Sequence, residues 1–228
     1  MSYDPRTIAY MAELVFPPLE LQVQRVQTIH NSLFAKPEIA YQNFQVTHDG
    51  IHLSNLPQSP GSVSTVTFRP DRMILREELR GITVEDFATR MINVAKVGFA
   101  TLGITASIAQ QFVVRSLVTP RHVTDSREFL ARRLIGAGND AWEEFGRPLQ
   151  SLGLQFTFPR TENRGEVFNT KVETWNQDPR SLWIENVGVF TQPTPTANLA
   201  DLTGGLYATY RFITGPVSAF LTRFDQPA

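Results

Sequence analysis

LVFPPLELQVQRVQTIHNSLF (residues 14–34) and LVTPRHVTDSREFLARRLI (residues 117–135) open in the same way. Each starts as the end of an apolar strand, meets a proline and passes into a helical pattern. In the first, Leu19, Val23, Val26, His30 and Leu33 recur at spacings of 4, 3, 4 and 3, which places them on one helical stripe. Pro17 and Pro18 suit the first turn of that helix. In the second, Thr124 or Asp125 opens a helix carrying Phe129, Leu130, Leu134 and Ile135, which stops at Gly136-Ala137-Gly138. The offset is near one hundred residues, and the match lies in pattern more than in identity. A chain that restarts in this way is read as two related halves.

The segments between these landmarks agree with that reading. Residues 9–16 form the first strand. Residues 39–47 and 51–53 flank His48-Asp49-Gly50, an Asp-Gly hairpin signal between alternating runs. A second hairpin, residues 63–68 and 72–77, turns at Arg69-Pro70-Asp71. Thr83 caps the next helix, with Asp86 at capping-box spacing, and Gly103 ends it. The second half repeats the order with a strand over 107–118, the helix from 124–125 and a short helical piece over 140–149. Three strands follow at 152–158, 166–175 and 181–190. In the first of these, Leu152, Leu154, Phe156 and Phe158 alternate onto one side. A last helix over 199–224 is kinked or divided at Gly215-Pro216. The expected fold is α+β: antiparallel sheet with helices packed on one face, built from two β-α-β(n)-α halves. The halves span residues 1–104 and 105–228 and form one compact unit.

Composition bounds the function classes. The 228 residues are 42% hydrophobic and 19% charged, with a net charge of −1, so no overall basic field attracts nucleic acid or an anionic membrane. There is no cysteine, which removes disulfides, thiolate catalysis and Cys-ligated zinc and iron–sulfur sites. A reducing, cytoplasmic compartment is the expectation. No early apolar run resembles a secretory segment, and residues 94–108, broken by Lys96, are too short to span a bilayer. Eighteen of the 21 basic residues are arginine, either a genomic bias or a sign of planar recognition of anions or aromatics.

AELVFPPL (12–19), VVRSLV (113–118) followed by REFL (127–130), and LWIENVGVF (182–190) resemble a sporadically distributed family of uncharacterised bacterial proteins. The resemblance covers most of the chain through short apolar motifs. It implies a two-part α+β body and nothing catalytic. The chain departs from the family's pattern at Arg115, where RSLV stands in place of an arginine followed by a glycine-containing strand.

Chemistry-bearing residues are few. His48 and His52 lie across the Asp-Gly turn and could approach one another with Asp49 as an oxygen ligand, but no second ligand cluster accompanies them, so exposed turn residues are preferred. His30, on the first helical stripe, reads as a half-buried histidine bonded to backbone. Ser116 and Ser126 bracket His122 and Asp125, but a triad there would rest on an accident of the loop. Glu77-Glu78 and Glu143-Glu144 point apart as sequence neighbours and read as solvated faces. No catalytic residue, metal site or cofactor is assigned.

Arg115, Arg121, His122 and Arg127 form the main cluster of interest. They stand at the end of a strand and the start of a helix, where basic groups oppose the helix dipole unless an anion is bound. An anionic ligand or acidic partner segment competes with pairing to Asp125, Glu128 or Glu166. Trp183, alternating with Leu182 and Ile184, is the candidate anchor on an exposed sheet face, with core packing as the competing reading. The expected function is a non-enzymatic binding or assembly module that takes a protein or peptide through a sheet face or edge. The alternative is a small-molecule or anion binder, or an enzyme, with a pocket between the halves.

Overall fold

The computed structural model describes residues 3–227. Ten-residue strand β1 (Arg6–Val15) leads to helix α1 (Val23–Phe34). Hairpin strands β2 (Asn43–Thr47) and β3 (Gly50–Ser54) come next, followed by β4 (Val63–Arg69), β5 (Arg72–Glu78) and helix α2 (Val84–Leu102). A two-residue strand β6 (Ala106–Ser107) precedes β7 (Ala109–Val118). Then come helix α3 (Ser126–Glu128), a π-helical run Phe129–Ile135, a 3-10 turn Asn139–Phe145, and strands β8 (Gly153–Phe158), β9 (Val167–Thr174) and β10 (Leu182–Phe190). Short β11 (Thr194–Pro195) pairs with β6, and helices α4 (Leu202–Phe212) and α5 (Ser218–Phe224) close the chain.

Among the described residues, nine strands make one antiparallel sheet in the order β2-β3-β4-β5-β1-β7-β10-β9-β8. The seam is the β1–β7 ladder, in which Met11 faces Val113 and Glu13 faces Gln111. On either side of it, the last strand of each segment lies next to the first: β5 beside β1, and β10 beside β7.

Alternation decides which side of this sheet is covered. Tyr10, Ala12 and Leu14 of β1, Met73 and Leu75 of β5, Phe112 and Val114 of β7, and Leu182 and Ile184 of β10 are buried beneath the helices. Their neighbours in sequence point to the other face, over which no helix of the described residues packs. The fold is therefore α+β with its helices on one side.

Helix α2 is held as its sequence dictates. The Thr83 side chain accepts from the Asp86 N–H at 3.1 Å, the Asp86 carboxylate accepts from the Thr83 N–H, and Gly103 takes the left-handed φ of 75° that ends the helix. Helix α1 departs from expectation. It starts at Val23, not at the prolines, because Phe16 N–H donates to Asp71 O and Leu19 N–H to Pro70 O, both at 2.9 Å. These tertiary bonds keep residues 16–19 extended against the β4–β5 turn. The buried stripe of α1 is Val26, Ile29 and Leu33, while Val23 is exposed.

The expected helix after Asp125 is also altered. Asp125 caps it through the Arg127 N–H at 2.8 Å, but after one α-turn it continues with π spacing to Gly136. At Gly215-Pro216 the predicted break takes the form of a π-turn over Ile213–Val217. There Pro216 offers no N–H, and the Ser218 hydroxyl donates to Ile213 O at 2.8 Å.

Helix α4 approaches β10 at backbone range. A Cβ on Gly188 would stand 2.2 Å from Thr209 Oγ1 and 3.0 Å from the Phe168 ring, and one on Gly205 would stand 2.6 Å from the Phe112 ring. Buried Asn186 fixes this contact by donating to Thr209 O at 3.0 Å and accepting from Thr170 Oγ1 at 2.8 Å. Gly188→Ala is expected to cost about 1–3 kcal/mol by overpacking, with no change in secondary structure. Urea unfolding of the variant measures it.

Candidate functional site

The uncovered sheet face is built by the alternate residues of each strand, odd-numbered on β1, β7 and β10 and even-numbered on β5. Across the seam, Met11 (β1), Val113 (β7) and Val187 (β10) stand side by side, and Leu117 lies opposite Trp183 two rows further on, with the Ala9–Arg115–Glu185 row between. Val113 and Leu117 are buried on this face. Trp183 is half-buried and faces away from buried Leu182 and Ile184, as its alternation predicts.

Arg115 lies between these two rows. Ala9 is its partner on β1, and Glu78 is Ala9's partner on β5. Over this small residue the Arg115 guanidinium reaches Glu78, donating from Nη1 to Oε1 at 2.7 Å. Its Nε donates to Glu185 Oε2 at 2.8 Å, and its Cζ lies 5.7 Å from the Trp183 ring centroid. Arg76 Nη2 donates to the second oxygen of Glu78 at 2.8 Å. The result is a row of alternating charge, Arg76–Glu78–Arg115–Glu185, crossing the seam beside Trp183. With its donors held by two carboxylates, Arg115 orients the indole rather than standing ready for a free anion.

The other candidates are not brought to this place. Arg127 pairs with Asp125, from Nη2 to Oδ2 at 2.5 Å and from Nε at 3.0 Å, which is the competing outcome foreseen for it. That guanidinium holds the Asp125 carboxyl below the usual carboxylate range. Arg127 lines a cavity of about 640 Å³ with Arg132, Trp142 and Arg147. Arg121 lies over the Tyr3 ring, 5.2 Å from its centroid, and lines a separate cavity of about 510 Å³ with Arg6, Trp175 and Asp178. The His122 side chain is exposed.

An anion does sit at the Arg121–His122 turn, and the chain itself supplies it. The Asp225 carboxylate accepts from the Arg121 N–H at 2.7 Å, from the His122 N–H at 3.1 Å and from the Tyr3 hydroxyl. Burial works to raise this carboxyl, but the three hydrogen bonds outweigh it and hold it below the usual range.

Three carboxylates, Glu77, Glu78 and Glu185, are not legible as site residues in the sequence. Glu77 is not solvated: it is 2% exposed, accepts from Ser64 Oγ at 2.8 Å, and lies 3.5 Å from Arg90 Nε and 3.7 Å from Arg80 Nε. Desolvation pushes its carboxyl above the usual carboxylate value. The alternation Met73, Leu75, Glu77 carried that signal. Glu78 and Glu185, the partners of Arg115, lie 37 and 70 residues from it and leave no local trace.

Two of the four histidines are tied to neighbouring groups, and His48 is exposed. His30 Nε2 bonds Tyr41 O at 2.9 Å, and His52 bridges Thr47 and Thr67 at 2.9 Å while lying 3.2 Å from Asp49. Neither Ser116 nor Ser126 hydrogen-bonds His122; Ser116 Oγ faces Thr7 Oγ1 at 3.1 Å. Among the described residues, no group of three or more His, Cys, Asp or Glu side chains is arranged to hold a metal ion. No helix among them is long and apolar enough to cross a membrane.

Fold and site together define an α+β protein whose sheet is covered on one side and presents a tryptophan, an apolar strip and a charge ladder on the other. Compared with known proteins, the chain matches no protein-family model and no curated protein.

Proposed function

We propose that the chain is a non-enzymatic binding or assembly module that takes a protein or peptide partner on its uncovered sheet face. The observation that carries this is the apolar row of Met11, Val113 and Val187 and the half-buried Trp183 two rows away, on a nine-stranded sheet whose helices, among the described residues, pack on the other side. Apolar positions and an aromatic anchor interleaved with paired charges match the mixed make-up of a protein interface, with Trp183 as anchor and the Arg115 ladder supplying oriented polar groups between it and the apolar row. Composition supports a reducing cytoplasmic compartment, because no cysteine is present. Membership of the sporadic bacterial family and descent of the two halves from one unit belong to the same proposal. The common winding of the two halves about the seam supports the second of these.

The test is affinity capture from the native host followed by mass spectrometry. Trp183→Ala is expected to weaken retention of the captured partner roughly 30-fold, the effect of losing an anchor worth about 2 kcal/mol, with an unchanged circular dichroism spectrum. Equal retention by wild type and variant removes the face from consideration.

A second reading, a small-molecule or anion binder between the halves, is favoured by the 510 Å³ cavity in which Arg6 and Arg121 converge near Trp175. In that case small molecules co-purify with the chain and are lost on Arg6→Ala.

A further inference from the structure

A third cavity, of about 430 Å³, opens on the helix-covered side of the second segment, away from the face proposed above. Its walls are Phe156 and Phe158 of β8, Phe212 at the end of α4, Val217 and Phe220. The rings hold one another: Phe158 meets Phe212 edge-on at 5.0 Å, and Phe156 meets Phe220 at 5.8 Å. Yet Phe158 and Phe220 remain 43% and 40% exposed, so apolar surface stays in contact with water at the mouth.

The helix break shapes this space. The π-turn over Ile213–Val217 puts Pro216 and Val217 on the cavity wall, and the Ser218 hydroxyl satisfies the carbonyl of Ile213. Π-turns inside helices recur at functional sites. Thr170, the polar residue deep in the wall, already donates to Asn186.

Arg164 is the one charged residue of the lining. It sits in the turn closed by Thr161 N–H to Arg164 O at 2.9 Å, and no hydrogen bond or ion pair of its guanidinium occurs among the described residues. An apolar chamber with a single unengaged guanidinium at its rim is complementary to one negative charge on an apolar body. The volume lies in the range of small-ligand sites and, at ~30 Å³ per water-sized unit, holds roughly 14 such units.

We infer that this cavity binds a small apolar carboxylate, an acyl or aryl acid, with its tail among the four phenylalanines and its carboxylate on Arg164. The site is independent of the uncovered face, and its failure would leave that reading untouched.

The experiment is calorimetric titration of the full chain with decanoate, 1-decanol and decyltrimethylammonium, each below its micellar concentration. Decanoate binds one per chain with a negative heat-capacity change. Decanol binds at least about ten-fold more weakly, for want of the charge-assisted bonds, and the ammonium weakest of all. Arg164→Gln brings decanoate down to the level of decanol without altering decanol. Phe220→Ala weakens both, and Arg164 being exposed, its variant keeps the wild-type melting temperature. Three results would overturn the proposal: no binding, equal binding of all three probes, or a dimer in solution that Phe220→Glu dissociates. The last would assign the cavity to a second copy of the chain.

Discussion

Glu77→Ala is expected to lower stability by about 3–5 kcal/mol, the usual consequence of removing one partner from a buried ion cluster. At roughly 2–4 °C per kcal/mol for a chain of this size, the melting temperature falls on the order of 10 °C. Among the described residues, this carboxylate is the ion-pair partner of both Arg80 and Arg90, whose side chains are only 12% and 16% exposed. Truncation removes the counter-charge of both guanidinium groups, leaving Arg90 with its bond to Glu38 O and its contact with the Tyr41 ring, and leaves the Ser64 hydroxyl without its acceptor. Glu77→Gln keeps the volume and costs less. Its deficit also depends on pH, with a sign set by the raised carboxyl. The folded state takes up that proton more readily than the unfolded one. Stability from this group is therefore full below the unfolded carboxylate value and declines as pH rises through the folded one. The glutamine variant lacks that decline, so its deficit narrows from acid toward neutral pH. Tyr41→Phe is the control. The Tyr41 hydroxyl is buried without a hydrogen-bond partner among the described residues, and losing it is expected to be neutral or stabilising. Urea unfolding at several pH values measures all three.

The second large effect lies where the two ends of the described chain meet. Asp225→Ala frees the Arg121 and His122 N–H groups and the Tyr3 hydroxyl together, at a cost of roughly 3 kcal/mol from charge-assisted bonds that do not add fully. Because the Asp225 carboxyl is held below its usual range, its contribution is present above the unfolded value of about 3.9. It is lost as pH falls through that value toward the folded one. Wild type is thus expected to lose part of its thermal stability on acidification in a step that Asp225→Ala lacks. Tyr3 adds nothing to that step: burial, and then its bond to Asp225, push its phenol far up, so it stays protonated. Melting curves between about pH 2 and pH 7 decide the matter. Hydrogen exchange should be faster through α5 in the variant, since its last turn is tied to the body through Asp225.

What could be read in advance follows from which forces are local. Strands β8, β9 and β10 were legible within a residue or so because alternation is a local pattern, and it also put Trp183 opposite Leu182 and Ile184. The same rule on β5 buries Glu77 with Met73 and Leu75, although its charge type points to solvent. The start of α1 is not legible in the sequence, because proline's fitness for a first helical turn loses to hydrogen bonds from Phe16 and Leu19 to a turn more than fifty residues away. The π spacing after Glu128 has no composition signal, since FLARRLI suits an ordinary helix equally well. The basic cluster dispersed for a similar reason. Arg115, Arg121 and Arg127 are near in sequence, yet strand, turn and helix send them to a sheet face and two different cavities. Their partners were foreseeable only where they were close: Asp125 was among those weighed, while Asp225, 104 residues from Arg121, could not be.

The seam has a consequence for biosynthesis. Once Leu102 has left the ribosome, a nascent chain holds everything needed to lay β2, β3, β4, β5 and β1 beneath α1 and α2. The outer rim of β1 then has no neighbour until Val118 emerges. At ~5–20 residues per second, that interval is on the order of a second or a few. For its duration, IAYMAELV offers open backbone N–H and C=O groups with a single charge among its side chains, the kind of rim that recruits a strand from another molecule. Translation speed over residues 102–118 therefore decides how often β1 zips to its own β7 before a neighbouring polysome product takes that place.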